Sequence, residues 1–214
     1  MKKEGLVMDK SVSSKRQVKK EEKERRLLSA AYILFMEKGI QNTSVSDIVK
    51  EAGVAKGTFY LYYQDKAEIE EKLIVKETVK ILEAAIKYSN ESDETAFEEL
   101  FIIAMDYIID YLEENQSVIE FIHKNLSYAI YILNSSSKGS KFRSIYDQIY
   151  VKYKENVGAV SIENPDVVVS LCIEFLGASI YSSLVLNMPM PMILLRPHLH
   201  RIIRSIFDEY TIYK

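Results

Sequence analysis

The sequence predicts an all-α protein, and three observations support this fold class. Seven glycines and four prolines are few for 214 residues, whereas β-rich folds usually need more turn residues. Apolar residues recur three and four positions apart along most of the chain, as they do on the buried side of amphipathic helices. Short polar connectors with glycine, proline or serine separate these segments. We therefore expect eight or nine helices, with no convincing strand pattern and no internal repeat.

The first predicted helix covers residues 20–38. Leu27, Ala31 and Phe35 lie on one side of it, and Gly39 follows where a helix would stop. The preceding residues 1–19 are polar and irregular, so we expect a disordered basic arm there.

A second, short helix is predicted within the stretch TSVSDIVKEAG. Ser44 is its candidate N-cap, Asp47 three residues later completes a capping-box pattern, and Gly53 ends the helix. A third helix is predicted over residues 56–62. Two short helices across a three- or four-residue turn that contains glycine are the outline of a helix-turn-helix.

The remaining chain is predicted to be helical as well. Asp65 begins another capping-box pattern, which opens a long amphipathic helix to about Tyr88. Asn164 and Pro165 give a cap followed by proline at the first position of a later helix. The further predicted helices cover residues 94–113, 116–133, 141–157, 165–187 and 197–212.

The charge of the chain is unevenly distributed. The net charge is −3, but residues 1–66 contain 14 basic and 9 acidic residues and so carry +5. The remainder carries −8. A basic first third attached to an acidic body indicates that the first part meets a polyanion.

Several classes of site find no support in the sequence. A single cysteine, Cys172, excludes an intramolecular disulfide framework and a multi-cysteine metal site. His198 and His200 are two residues apart, so on a helix they diverge and cannot bind one metal together. No Gly-rich phosphate loop, nucleophile elbow, metal-binding histidine-glutamate motif or dinucleotide fingerprint occurs. We therefore expect no enzyme activity, no cofactor and no metal.

The sequence also indicates a location. The first 26 residues contain no apolar stretch of signal-peptide length, so we expect a cytoplasmic protein. The stretch 167–186 has one charge, Glu174, but contains four serines and lacks basic or aromatic flanks on both sides. We interpret it as a buried or interface helix rather than a membrane span.

The stretch GVAKGTFYLYYQDK, residues 53–66, combines four aromatic rings with flanking lysines. In a recognition helix, Lys56 could donate to guanine and Thr58 could contact a thymine methyl or a phosphate. Phe59 would turn inward, while a tyrosine can pack its ring on the protein and reach a phosphate with its hydroxyl. Lys66 starts the next helix, where free N–H groups also attract phosphate. A DNA groove and its backbone would fit this mixture.

Residues 43–69, TSVSDIVKEAGVAKGTFYLYYQDKAEI, resemble the DNA-binding signature of the tetracycline-repressor (TetR) family of bacterial regulators. Upstream, Ala31, Phe35 and Gly39 are similar to the family's first helix. Two positions depart from the pattern, since Tyr63 stands where phenylalanine is usual and Asp65 where serine is common. For Tyr63 the family position suggests packing, while its hydroxyl leaves a phosphate contact open.

The resemblance implies a three-helix DNA-binding head, residues 20–66, and a helical body, residues 67–214, that binds a small effector. It also implies a homodimer through the helices at about 165–187 and 197–212. The arm could add sequence-independent affinity through Lys15, Arg16, Lys19 and Lys20. By position, the candidate DNA-contacting residues are Ser44, Ser46, Lys56, Gly57, Thr58, Tyr60, Tyr62 and Lys66.

The effector site is less well defined by the sequence. The body holds many aromatic rings and few polar groups, as an apolar ligand pocket would need, although such rings equally suit a core. The candidate effector-binding residues are Tyr107, Tyr111, Phe121, His123, Tyr128, Tyr131, Tyr146, Phe175 and Asn187.

The sequence thus predicts a homodimeric transcriptional repressor that binds a palindromic double-stranded DNA operator and is released by a small apolar or aromatic effector. Two alternatives stay open. A member of the same family could act as an activator or as a partner-binding accessory protein. A helical protein–protein adaptor would have a similar composition and would not bind DNA.

Overall fold

A computed structural model describes residues 4–94, 96–122 and 160–213 of the chain. The chain divides into two compact units, Met1–Leu73 and Ile74–Lys214. Within the described ranges there are eight helices and one pair of three-residue strands, so the predicted all-α class is confirmed. The division between the units falls seven residues after the predicted boundary at Lys66, because the first turns of α4 bury Ile69 and Leu73.

Unit one consists of three helices and the start of a fourth. They are α1 (Glu4–Lys38), α2 (Val45–Glu51), α3 (Lys56–Phe59) and α4 (Lys66–Asn90), which continues into unit two. Each contributes apolar side chains to the core, with the periodicity that the sequence indicated. The buried residues of this core include Leu27, Ala31, Leu34, Phe35, Ile48, Phe59, Ile69 and Leu73.

Helix α1 begins earlier than predicted. It starts at Glu4, so the backbone of residues 4–19 continues the helix and is not a separate irregular arm. The expectation of disorder relied on the lack of an apolar pattern. However, lysine, arginine, glutamate and glutamine are good helix formers even on a helix without an apolar side.

Helix α3 ends earlier than predicted, at Phe59 rather than at residue 62. The N–H groups of Tyr62 and Tyr63 both donate to the carbonyl of Phe59, at 2.9 and 3.0 Å. One carbonyl therefore receives two bonds, and the regular i to i−4 series stops there. The chain continues as a turn to α4.

The described part of unit two contains the rest of α4, four further helices and the strand pair. The helices are α5 (Phe97–Glu114), α6 (Gln116–Ile122), α7 (Pro165–Leu186) and α8 (Met192–Tyr210). Pro165 occupies the first turn of α7, as predicted. The predicted helix at 141–157 and residues 123–133 of another lie outside the described residues.

The rings of α5 and α8 form part of the core of unit two. Phe207 makes edge contacts with Phe97 and Phe101, with ring centroids 5.2 and 5.3 Å apart. Outside these rings, Arg204 donates two hydrogen bonds to Glu99, at 2.5 and 2.9 Å. Hydrogen bonding from Arg204 holds the pKa of the Glu99 carboxyl below its usual range. Apolar and charged contacts together set the register of α8 on α5.

Two features of unit two contradict the sequence-based expectations. Strands β1 (Val160–Ile162) and β2 (Thr211–Tyr213) pair antiparallel, although no strand was expected. Three residues are too few to show a period of two, so such strands leave no readable pattern. Helix α8 begins at Met192 rather than residue 197, because Pro191 serves as its N-cap residue and Pro197 is accommodated inside the helix.

Candidate nucleic-acid interface

The start of α2 is fixed by a reciprocal pair of side-chain bonds. The N–H of Asp47 donates to Oγ of Ser44 (3.1 Å), and the N–H of Ser44 donates to Oδ2 of Asp47 (2.9 Å). The predicted capping box is therefore confirmed. The Ser44 hydroxyl and N–H together hold the pKa of the Asp47 carboxyl below its usual range.

The turn between α2 and α3 depends on a glycine and on an arginine from α1. Gly53 has φ +61°, in the left-handed region that glycine adopts without strain. Nη2 of Arg26 donates to the carbonyls of Ala52 (2.5 Å) and Gly53 (3.0 Å). The turn is therefore held from outside, by a side chain far away in the sequence.

The four rings of residues 59–63 have separate environments. Phe59 is fully buried, as predicted, and Tyr63 is only 2% exposed, with their ring centroids 5.6 Å apart. The hydroxyl of Tyr63 lies 3.5 Å from Oε1 of Glu24, and burial, followed by the charge of Glu24, raises the pKa of Tyr63. Tyr60, by contrast, is 53% exposed. For Tyr63 the structure therefore favours packing over a phosphate contact.

Five of the predicted contact residues form an accessible surface. Ser46, Lys56, Gly57 and Tyr60 are exposed, and Thr58 is half-buried. A Cβ built on Gly57 would meet nothing within 4 Å, so the backbone there is open to a partner.

In three other predicted contact residues, the polar side-chain atoms are hydrogen-bonded to other groups of the same chain. Lys66 Nζ donates to the carbonyls of Ile40 (2.6 Å) and Thr43 (3.0 Å). The Tyr62 hydroxyl donates to the carbonyl of Lys20 (2.9 Å). The hydroxyl of Ser44, the third of these residues, caps α2 as described above.

Sequence reasoning missed two residues of this region. Arg26 was one of several basic residues near the start of the chain, and no local pattern distinguishes it. Leu61, a large apolar residue that follows Tyr60 directly, is 79% exposed. Only its position in a turn, after the end of α3, could have indicated its exposure.

Five of the candidate effector-binding residues lie within the described residues. Tyr107 lies against Tyr88 with ring centroids 5.2 Å apart, and Tyr111, Phe121 and Phe175 are wholly or partly buried. Asn187 is exposed and caps the C-terminus of α7 in the left-handed conformation. The other four candidates, His123, Tyr128, Tyr131 and Tyr146, lie outside the described residues.

One pair of buried polar residues in α4 was also missed. Glu77 and Thr78 are 5% and 3% exposed, within a helix face that otherwise buries apolar residues. Glu77 pairs with Lys80 at 3.3 Å, whereas the Thr78 hydroxyl has no hydrogen-bond partner in the described ranges.

Helix α7 is the one described helix long and apolar enough to cross a membrane. Only 33% of its apolar stretch is buried. Its exposed residues Val167, Leu171, Glu174 and Ala178 follow helical spacing and so share one face. In the described ranges, no group of three or more histidine, cysteine, aspartate or glutamate residues could hold a metal.

Unit one therefore has the architecture of a helix-turn-helix DNA-binding module. Residues 27–73 match the family model described as bacterial regulatory proteins, tetR family. This segment therefore belongs to the TetR family of transcriptional regulators, as the sequence resemblance implied.

Individual relatives agree with this assignment. The HTH-type transcriptional regulator YvdT of Bacillus subtilis is 52% identical over 44 residues, which are 21% of this chain and 23% of the relative. YdgC of the same organism is 30% identical over 122 residues, which are 56% of this chain and 58% of the relative. The match thus covers less than two thirds of the length of either relative.

Solved structures share the fold over a larger part of the chain. The fatty acid degradation regulator FadR of Bacillus halodurans has a TM-score of 0.60 and 18% identity, covering 84% of this chain and 93% of its own. FadR of Bacillus subtilis, solved with stearoyl-CoA, has a TM-score of 0.56 and 16% identity, covering 85% of this chain and 98% of its own. At such identities the likeness concerns the fold alone.

Proposed function

We propose that this protein is a ligand-responsive transcriptional repressor that binds a palindromic DNA operator as a homodimer. The arrangement of α3 carries the proposal. Phe59 and Tyr63 fill the core, whereas Lys56 and Gly57 of α3, and Tyr60, its C-cap residue, are exposed. This surface presents a cation (Lys56), an accessible backbone (Gly57) and an exposed phenol (Tyr60). It suits a DNA groove better than it suits a protein partner.

Each exposed group has a proposed role. The ammonium of Lys56 donates to guanine O6 and N7, and Thr58 contacts a thymine methyl or a phosphate. Gly57 allows the backbone to approach the base edges, while the hydroxyls of Tyr60 and Ser46 donate to phosphates. These roles rest on exposure and chemistry together with the family assignment.

The remaining candidates take supporting roles. Ser44, Tyr62 and Lys66 already use their polar atoms within the protein, so we propose that they shape the interface instead of binding phosphates. Lys19 and Lys20 are exposed and add sequence-independent attraction to the DNA backbone. The side chains of Lys15 and Arg16, proposed for the same role, lie outside the described residues.

Support for the homodimer comes from α7 and α8. Val167, Leu171 and Leu186 of α7, with Ile193 and Leu194 of α8, are large apolar side chains left more than half exposed by the single chain. Exposed apolar residues concentrated on two adjacent helices are typical of a subunit interface. A second copy that covered both helices would form a two-fold four-helix interface.

The proposed effector is small and apolar or aromatic. Ring and aliphatic side chains dominate the buried surface of unit two in the described ranges. Stearoyl-CoA, present in the FadR structure from Bacillus subtilis, shows that a protein of this fold can hold a molecule with a long apolar chain. Binding of the effector is proposed to lower operator affinity, as expected for a repressor that is released by its ligand.

The direct test is selection of DNA from a randomised duplex pool by the purified protein. We expect one enriched, roughly palindromic sequence, bound by a dimer with an affinity that falls steeply with salt. No sequence enrichment would refute the proposal and favour the adaptor alternative. A reporter carrying the selected site then separates repression from activation. Native mass spectrometry of protein purified from its host would reveal a co-purified effector.

A further inference from the structure

The position of α3 depends on the turn that precedes it. Helix α2 has seven residues and α3 four, and helices this short are not stable by themselves. Ala55, the N-cap residue of α3, makes no side-chain capping bond. The direction in which α3 leaves α2 is therefore set by the backbone of residues 52–55.

Arg26 is the side chain that holds this backbone. Its Nη2 bonds to two successive carbonyls, those of Ala52 (2.5 Å) and Gly53 (3.0 Å). Carbonyls at a helix C-terminus lack intrahelical partners and carry the negative end of the helix dipole, so a cation is favoured there. Bonding both carbonyls restrains two neighbouring peptide planes at once.

Gly53 is fitted closely to this arginine. A Cβ added at Gly53 would lie 2.6 Å from Nη2 of Arg26, which is too close for a side-chain contact. At Gly39, the other glycine of unit one with positive φ, an added Cβ would meet nothing within 4 Å. The guanidinium thus occupies the space that the missing side chain of Gly53 leaves open.

We propose that Arg26 is a positioning residue of the DNA interface: bonded to Ala52 and Gly53, it fixes the turn from which α3 reaches the major groove. The inference rests on the proposed function. Arg26 acts through the turn and makes no contact with a base or a phosphate. Its loss should therefore weaken recognition of a specific sequence more than general attraction to DNA.

The first test compares Arg26→Met with Arg25→Met, which removes the same charge from the neighbouring, exposed position of α1. The probes are the duplex that the wild-type protein selects from a random pool and a duplex of random sequence. We expect Arg26→Met to weaken binding of the selected duplex about tenfold, relative to Arg25→Met, with random-sequence binding and the salt dependence equal in the two variants. A phosphate contact would instead lower the salt slope of Arg26→Met by about one and weaken both probes alike, which would overturn the proposal.

The second test keeps the charge and disturbs the contact. Gly53→Ala displaces the guanidinium and strains the backbone, whereas Gly39→Ala, the control, adds only the backbone strain. We expect Gly53→Ala to weaken specific binding more than Gly39→Ala does. Adding Gly53→Ala to Arg26→Met should cost no more further affinity than Gly39→Ala does, because only the backbone strain is left once the contact has been removed. Equal effects of the two glycine variants, or full additivity, would contradict the inference.

The outcomes separate this inference from the proposed function. If the wild-type protein selects no sequence, the proposed function fails. If it does select one and Arg26→Met binds it as tightly as Arg25→Met does, only the positioning role fails. Circular dichroism establishes that each variant is folded at the temperature of measurement. Should Arg26→Met not fold, the two glycine variants still decide the question.

Discussion

The ammonium of Lys66 donates a 3.0 Å hydrogen bond to the carbonyl oxygen of Thr43. A second bond, of 2.6 Å, runs from the same nitrogen to the carbonyl of Ile40. The hydroxyl of Thr43 in turn bonds to the carbonyl of Gly39 at 2.9 Å. The connection between α1 and α2 is therefore held by the first residue of α4, which the sequence suggested as a phosphate contact.

Replacing Lys66 with methionine should therefore lower the stability of the DNA-binding head and leave the number of cations that contact DNA phosphates unchanged. The change leaves the carbonyls of Ile40 and Thr43 without this donor, so we expect a lower melting temperature and weaker operator binding. The salt dependence of binding should stay as in the wild-type protein. A slope reduced by about one would show instead that Lys66 neutralises a phosphate.

Tyr60→Phe tests the proposed phosphate contact with the smallest possible change. The ring of Tyr60 keeps its edge contact with Phe59, at 5.5 Å between centroids, while the exposed hydroxyl is lost. We expect operator binding to weaken about tenfold, as for one hydrogen bond to a charged group, with no change in melting temperature. Fluorescence anisotropy with the selected duplex measures the loss. Phe59→Ala is the contrasting variant, because emptying that buried site should cost about 3–5 kcal/mol of folding free energy. Wild-type affinity of Tyr60→Phe would exclude the hydroxyl contact.

The buried hydroxyl of Tyr63 should make the head sensitive to alkaline pH. Burial, followed by the charge of Glu24, raises the pKa of Tyr63 above 10.0, the usual value of a tyrosine. Its contribution to stability is therefore complete below about pH 10 and is lost above it, because the unfolded state releases the proton first. We expect the melting temperature of Tyr63→Phe to fall less than that of the wild-type protein between pH 9 and about pH 11. Tyr60→Phe is the matched control, and an identical decline in all three proteins would refute the effect.

Leu171→Glu should separate dimerisation from DNA recognition. Leu171 is exposed on α7, so in the single chain a glutamate there meets solvent, but in the proposed dimer it would be buried without a partner. We expect a shift from dimer to monomer by light scattering, with the helical content retained. Leu61→Glu places the same charge at the exposed turn after α3 and should leave the mass unchanged while it weakens DNA binding. A dimer that persists in Leu171→Glu would place the interface elsewhere.

Much of the head could be predicted from the sequence because its signals are local. The capping pair Ser44 and Asp47 lies within one helical turn, and the inward position of Phe59 follows from the spacing of apolar residues. The α2–α3 turn requires a residue that tolerates positive φ, and Gly53 provides it. These features depend on near neighbours and on the residue type itself.

Other features were not predictable because no short pattern encodes them. The β1–β2 pair joins residues about fifty positions apart, and each strand is too short to show a period. The start of α8 was misplaced because Pro197 was treated as the beginning of a helix, whereas the chain accommodates it within one. The extent of α1 was underestimated because polar helix formers show no buried side.

The sequence by itself determined the fold class, the helix-turn-helix and the residue types on its exposed surface, since these follow from periodicity, capping and turn chemistry. Only the tertiary structure decided which polar groups are free to meet a ligand. Lys66 and Arg26 are both cations of the DNA-binding head. Lys66 donates to a carbonyl before the start of α2, whereas Arg26 donates to a carbonyl after its end. The partner of a long, flexible side chain is set by where distant backbone atoms come to lie, and that position exists only once the helices have packed.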